Sequence, residues 1–512
     1  MKKLFKAMAI ALAATSVFAF ASCGSKTKKS EDVNAGAPDY SQTGDEYTLF
    51  AYHGVRHNWY SSNATGLQTL PETLMTKEKL QEYKDAGFNV LFCNYVFDYN
   101  GELDRTVSNG QPTSISVLDI MDMAQELGLK VFVSEQNIRR LGGLSGTLID
   151  ETAPAGANGA APSVFNSEAD LQAYVRRILG KLAEHPAFYG VSIKDEPTYG
   201  MLPVYGEIYK AIKACYPNAY VHANLLPMTA TAEYRYAENG RSKGLENSYR
   251  EYLSDFYKYS NADCINYDDY PILGNNSDQA TIKTEHLRNA QIVAEFCKEK
   301  GLRYQKVFQT CSFKTGSWIC RTPTQTDMYW QTNIGMAMGV KTYSYWSYYP
   351  VTKSGGETYV ETASFLNQKG EKNQLYYWMQ DIHAEMQGTA EALMNFEYQG
   401  LRTYKMSPMP GVFGYIAGLE NNDLKYVSEV TQSSNGIILV TELYDKDEDQ
   451  YGYYVVNVTD PTQSTEIDVT VKFDEFTKVQ TYSKGEPTNS FLKGGATTFS
   501  LATGQGVFLL PY

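Results

Sequence analysis

The stretch Phe188-Tyr-Gly-Val-Ser-Ile-Lys-Asp-Glu-Pro197 decides how this chain is read. Val191 and Ile193 alternate with Ser192, Lys194 and Glu196, the two-residue period of a strand with one apolar and one polar face. Pro197 lacks the N–H that a ladder needs, so the strand stops there. Asp195-Glu196-Pro197 also suits a helix start, with Asp195 as N-cap and Glu196 in the first turn. The other reading is a carboxylate held at the C-terminal tip of a strand, and the neighbouring elements choose between the two.

Towards the N-terminus the pattern alternates regularly. Glu46–His53 reads as a strand, Met75–Ala86 as a helix started by Thr76 and closed by Gly87, and Phe88–Val96 as a second strand. Ile115–Leu127 is a helix stopped by Gly128, Leu129–Glu135 a third strand, and Ser167 caps a helix to Glu184. The quoted strand is therefore fourth. Beyond it come helix Tyr205–Cys215, strand Ala219–Leu225, helix Tyr249–Tyr259, strand Ala262–Tyr270 and helix Ala280–Lys300. Strand Tyr304–Cys311, helix Asp327–Met338, strand Lys341–Tyr348 and helix Leu375–Leu393 complete the series. Eight strands, each followed by a helix, predict an α/β protein of the (β/α)8, or TIM-barrel, type. The competing doubly wound sheet is disfavoured because no G-x-G-x-x-G follows the first strand. The Gly/Ala/Pro-rich insert Arg140–Pro162 is too long for a tight connection and is a candidate active-site loop. From residue 396 short alternating runs such as Gly436–Leu443 and Glu466–Lys472, broken by Gly, Asn, Asp and Pro, predict a small C-terminal antiparallel β-sandwich.

The chain has 512 residues, 41 of them Tyr, and a net charge of −13, which gives no basic footprint for nucleic acid. Lys2, Lys3 and Lys6 precede an apolar run that closes at Phe20-Ala21-Ser22-Cys23. That resembles a bacterial lipoprotein signal, 1–23, with Cys23 lipidated, although Phe20 stands where Leu is usual. An ordinary secretory signal is the alternative. Residues 24–45 read as a flexible polar tether, 46–395 as the barrel and 396–512 as the sandwich. The expected address is the bacterial cell envelope, outside the cytoplasm and membrane-anchored. The remaining six cysteines show no CxxC and no zinc spacing, and neither metal nor other cofactor is expected. Cys311 and Cys320 flank one loop and could pair in an oxidising compartment.

Strand tips of a barrel converge on one mouth. By alternation, Ser192, Lys194 and Glu196 face inward on the fourth strand, His222 and Asn224 share a face of the fifth, and Asp268 points in from the sixth with Asp269 turned aside. Gln309 shares a face with Val307 on the seventh, while Ser344, Trp346 and Tyr348 share one on the eighth. Asn94 and Glu135 are further candidates. Carboxylates beside amides and an aromatic platform suit cleavage of sugars. One carboxyl must keep its proton for the leaving oxygen, and burial beside a second acid raises a pKa in that direction. Glu196 is the expected acid and Asp268 the second carboxylate. Asn94, Glu135, Asn224, Gln309, Trp346 and Tyr348 are expected to hold a carbohydrate substrate, and Lys194 to need Asp268 or Glu196 as partner.

Tyr189-Gly-Val-Ser-Ile-Lys-Asp-Glu-Pro197, Asp268-Asp-Tyr-Pro271 and Trp330–Trp346 together resemble the (β/α)8 glycoside hydrolases typified by bacterial β-galactosidases and related β-glycosidases. The resemblance spans roughly Thr48–Leu393. It implies Glu196 as general acid/base, with Asp195 in place of the group's usual Asn, and matches Trp346 to the strand-eight Trp. The strand-seven tip departs: Gln309 stands where the group has its nucleophilic Glu, so retaining double displacement does not carry over. Either Asp268 or Glu135 takes that part, or the barrel binds glycans without cutting them.

Overall fold

The computed structural model describes residues 32–41, 43–52, 54, 75–99, 102–104, 116–152, 164–230, 244–274, 281–315, 318–349, 352–353, 359–360, 364–367, 370–406 and 414–512. Eight parallel strands form the barrel: β1 Thr48–Ala51, β2 Val90–Tyr99, β3 Lys130–Glu135, β4 Phe188–Asp195, β5 Tyr220–Leu225, β6 Cys264–Asp268, β7 Arg303–Gln309 and β8 Val340–Trp346. They run in the order β1-β8-β7-β6-β5-β4-β3-β2. Each neighbouring pair along that order is a parallel ladder. Asn89 closes the remaining seam between β1 and β2. Its side chain accepts the Leu49 N–H (2.8 Å) and donates to the Tyr47 carbonyl (2.8 Å), while its own N–H reaches the Leu49 carbonyl (3.2 Å).

Eight long helices surround the strands: α1 Lys77–Asp85, α2 Val117–Glu126, α3 Glu168–Ala183, α4 Leu202–Cys215, α5 Leu245–Ser260, α6 His286–Lys300, α7 Gln325–Ala337 and α8 Gln374–Leu393. Thr76, Ser116 and Ser167 accept N–H bonds at the first turns of α1, α2 and α3, as short polar side chains do at helix starts. Helix α6 begins later than expected. Thr281–Ile282 pairs as a strand with Ile272–Leu273, and Glu285 has φ +59°, so regular helix starts only after it. The barrel interior is an aromatic plug of Phe50, Phe92, Phe132 and Tyr220 with Val307, and Phe92 stacks on Phe132 at 4.8 Å. Burying each such ring contributes roughly 1.5–3 kcal/mol, so this part of the barrel is a packed core.

The C-terminal strands are β9 Glu397–Lys405, β10 Val427–Gln432, β11 Ile437–Asp445, β12 Gln450–Asn457, β13 Glu466–Phe473, β14 Lys478–Ser483, β15 Glu486–Phe491, β16 Ala496–Ala502 and β17 Gly506–Pro511. They make two antiparallel sheets, β9-β11-β12-β17-β14-β15 and β10-β13-β16. Ile438, Val440, Val455, Ile467, Val469 and Val471 fill the space between them. The sandwich packs beside α7 through Trp330 Nε1 to the Val458 carbonyl (3.2 Å) and Asn333 Nδ2 to the Gly504 carbonyl (2.9 Å). Gly504, at φ +83°, is needed here, because a Cβ would lie 2.8 Å from the Trp330 nitrogen.

Three expectations are corrected. From Asp32 onward the expected tether is laid on the sandwich: Lys478 Nζ donates to the Asp32 and Ala35 carbonyls (2.9 and 2.7 Å), Tyr512 Oη to Val33 (2.6 Å) and Tyr40 Oη to Asp445 (3.1 Å). Cys311 and Cys320 are not bridged; both are buried thiols packed with Phe313. The start of the expected loop Arg140–Pro162 belongs to a short helix, Gln136–Leu141.

Candidate active site

At the tip of β4 the ladder slips. Ser192 lies opposite His222, but Asp195, three residues on, lies opposite Asn224, only two on. The extra residue is a β-bulge, and it reverses which side chains point inward. Asp195, rather than Lys194, joins Asn224 on the inner face. Lys194 packs instead along Gly142 and Gly143, so the expected inward lysine is corrected.

Glu196 then turns the chain with φ +47°, a left-handed conformation costing about 1–2 kcal/mol in a residue with a Cβ. Several bonds hold it. The Glu196 N–H donates to the Asn224 carbonyl (2.8 Å), and Tyr252 Oη donates to the Pro197 carbonyl (2.7 Å). The Glu196 side chain is exposed at the mouth.

A polar chain runs inward from this turn. Asn224 Nδ2 donates to Asp195 Oδ1 (2.7 Å), and Asn266 Nδ2 donates to Asn224 Oδ1 (2.9 Å) and to His222 Nε2 (2.8 Å). Tyr52 Oη also lies 3.1 Å from His222 Nε2. An amide NH2 can only donate, so Nε2 accepts and the ring proton sits on Nδ1, facing Ser192 Oγ at 3.3 Å. Burial pushes the His222 pKa down to about 3, so the ring is neutral in ordinary buffers. One carboxylate at the surface thus sets the orientation of two amides and a histidine beneath it.

Asp268 ends β6 on the same inner face and is only 5% exposed. Burial first, then the charges of Glu196 and Asp195, push its pKa well above the usual carboxylate range, with Asn224 working against them. Its Oδ1 has no hydrogen-bond partner among the described residues. Arg139, from the short helix after β3, donates to Ser134 Oγ (3.2 Å), and its charge offsets those of Asp195 and Glu196 at Tyr52 and Tyr205. Trp346 is partly exposed at the tip of β8, its ring 5.7 Å from that of Tyr52.

The mouth therefore gathers Asp268, Asn224 and Trp346, which alternation sends inward, and Glu196, which the turn after the bulge brings there. Asp195, His222, Asn266, Tyr52 and Arg139 join them. His222 and Asn266 were legible by parity; Asp195 was hidden by the bulge, and Arg139 by a helix too short to show a period. Three expected sugar-binding residues are placed elsewhere. Glu135 caps the short helix, accepting from Ile138 N–H (2.7 Å) and Asn137 Nδ2 (3.0 Å). Gln309 exchanges hydrogen bonds with the Ile272 N–H and carbonyl (3.0 Å each) and donates to the Arg321 carbonyl (2.8 Å), fastening the loops that follow β6 and β7. Tyr348 is buried in the outer layer against Tyr83, Phe88 and Phe365. Asn94 lies in β2, and its side chain is outside the described residues.

Behind β6, Asp269 faces the helices. It is paired with Lys283 and His286, and His286 Nε2 lies 3.1 Å from Lys306 Nζ. Burial alone would raise the Asp269 pKa, but the charges of Lys283 and His286 outweigh it and hold it far down. Burial lowers His286 to about 4 and Lys306 to about 8.

No protein-family model and no curated protein matches the chain. Among solved structures it is similar to a glycoside hydrolase family 5 protein from Bacteroides vulgatus, with 10% identity over 91% of this chain and 88% of that one and a TM-score of 0.46. A β-L-arabinopyranosidase from Geobacillus stearothermophilus gives 9%, 92%, 98% and 0.45 in the same order. A β-galactosidase from a psychrophilic Marinomonas gives 12%, 69%, 62% and 0.42, so this chain spans less than two thirds of that enzyme. The (β/α)8 class itself rests on the strand order above.

Proposed function

We propose that this protein is a glycoside hydrolase, anchored by a lipid on Cys23 in the bacterial cell envelope outside the cytoplasm, that cleaves an oligo- or polysaccharide. The observation that carries this reading is the pairing at one mouth of a buried carboxyl that resists ionisation, Asp268, with an exposed one on a strained turn, Glu196. The environments exchange the roles expected from sequence. Asp268, holding its proton, is the group suited to protonate the leaving oxygen. Glu196, open to solvent, is suited to take a proton from the attacking water. The C–O glycosidic bond breaks, the water oxygen bonds to the anomeric carbon, Asp268 gives its proton to the leaving oxygen, and Glu196 takes one from the water. Asn224 and the face of Trp346 would bind hydroxyls and the sugar ring.

The rival reading is a glycan-binding protein without turnover, and it draws on Gln309, whose amide is committed to loop backbone and leaves the β7 tip without a carboxyl. A panel of glycosides with anomeric detection by NMR separates the two. Glu196→Gln and Asp268→Asn are expected each to lower kcat by roughly 10²–10⁴-fold while leaving sugar binding in place. Turnover unchanged in both variants removes the catalytic reading, and binding by the wild type without turnover selects the rival.

A further inference from the structure

The sandwich carries one edge whose features the barrel chemistry does not use. Among the described residues strand β15 is last in its sheet, pairs only with β14, and is mostly exposed. Phe491 closes it, 44% exposed and directly opposite Lys478 in the ladder. Lys493 follows, also exposed. The Lys478 ammonium lies 5.8 Å from the Phe491 ring and 5.6 Å from that of Tyr512. The same ammonium holds the Asp32 and Ala35 carbonyls. The N-terminal segment thus arrives on the sandwich at this edge.

The segment between Cys23 and Asp32 is short. Eight residues, 24–31, separate it from Cys23. Whatever their conformation, they reach at most about 30 Å, and a flexible chain of that length spans about 16 Å on average. A lipid on Cys23 therefore keeps this edge close to the bilayer. An exposed aromatic ring flanked by lysines is what the headgroup boundary accepts: the ring enters it and the ammonium groups meet phosphates.

We infer that the β14–β15 edge, with Phe491, Lys478 and Lys493, rests on the phospholipid surface and turns the barrel mouth away from it. This rests on the proposed lipidation of Cys23. The direction follows from the strap. It leaves the sandwich and meets the barrel where Thr43 Oγ1 donates to the Glu391 carbonyl (3.0 Å) and Tyr47 N–H to Gln387 Oε1 (2.8 Å). Both acceptors belong to the second half of α8, which runs back from the mouth to the base of the barrel. Strap and edge therefore lie on the base side, within reach of a lipid on Cys23, and the glycan-facing acids open outward.

The test is hydrogen–deuterium exchange of the full mature chain on vesicles of phosphatidylethanolamine and phosphatidylglycerol, against the same chain in solution. Two preparations are read: the cell-made protein, and a chain coupled through Cys23 to a maleimide lipid. The mass of the N-terminal peptide reports whether the cell adds a lipid, and so tests the lipidation reading separately. Added protection is expected in 486–493 and none in 142–150 beside the mouth. Phe491→Ser is expected to reduce that protection several-fold without altering exchange in solution. Protection at 142–150, protection spread evenly, or indifference to Phe491→Ser overturns the orientation.

Discussion

Asp268 and Asp269 follow one another at the tip of β6, both buried, and strand alternation sends them to opposite faces. Asp268 faces two more acids and is pushed towards its protonated form. Asp269 faces Lys283, His286 and Lys306 and is held ionised. The difference shows that burial alone does not set an acid's state: the sign of its neighbours does. On the inner face the protein tolerates like charges and a left-handed glutamate, as the proposed reaction requires. On the outer face the Asp269 carboxylate is set against the ammonium groups of Lys283 and Lys306, which serves the fold.

The largest effect separating the two faces is expected from Asp269→Asn. It takes the nearby anion from the buried Lys306 and the partly buried Lys283, at a cost of about 3–5 kcal/mol by urea or guanidinium unfolding. Turnover per folded molecule should stay within a few-fold; a loss comparable to that of Asp268→Asn would mean that the two faces are not separable. Gln309→Leu comes next. It unfastens the loops after β6 and β7 and should cost about 1–3 kcal/mol through unpaired backbone groups, with sugar affinity little changed. A matching loss of sugar affinity would restore Gln309 to the binding site.

The pH dependence of stability discriminates more finely. Asp268 has a raised pKa in the folded state, so the folded protein binds the extra proton, and its stabilising effect is present at low pH and fades as pH rises above about 4. The slope is at most about 1.4 kcal/mol per pH unit, and Asp268→Asn should flatten it. Lys306 acts at the other end: its folded pKa of about 8 lies below the ordinary value of 10.5, so stability should rise between those pH values as the unfolded chain loses its proton. Lys306→Met should remove that rise. The smallest effect is Glu196→Gly, which relieves the left-handed turn and should add about 1 kcal/mol of stability while abolishing turnover. A destabilised Glu196→Gly would show that the turn is not strained.

The order of strands and helices was open to reading from sequence because each element carries its own period and its own stop. Thr76, Ser116 and Ser167 mark helix starts by the same short-range bonds that the structure shows. The inward placement of Asn224, Asn266 and Asp268 followed from alternation on β5 and β6, where the register runs without a slip. On β4 the same rule failed at its last step. A bulge depends on how two strands pair, and no property of Ser192, Ile193 or Lys194 alone announces it. Glu135 and Gln309 were misplaced for a related reason. Their types suit a sugar site, but backbone groups claim them: Ile138, in a helix too short to show a period, claims Glu135, and the distant Ile272 and Arg321 claim Gln309.

By itself, then, the sequence determined the eightfold strand–helix alternation, the trailing sandwich and the acids at the tips of β4 and β6, because these are written in local periodicity and residue type. Only the tertiary structure decided which acid is pushed towards its protonated form, which lysine turns away and which amide is spent on a loop. Those outcomes depend on distances between segments far apart in the chain, and a carboxyl's state is set by the charges that folding brings beside it.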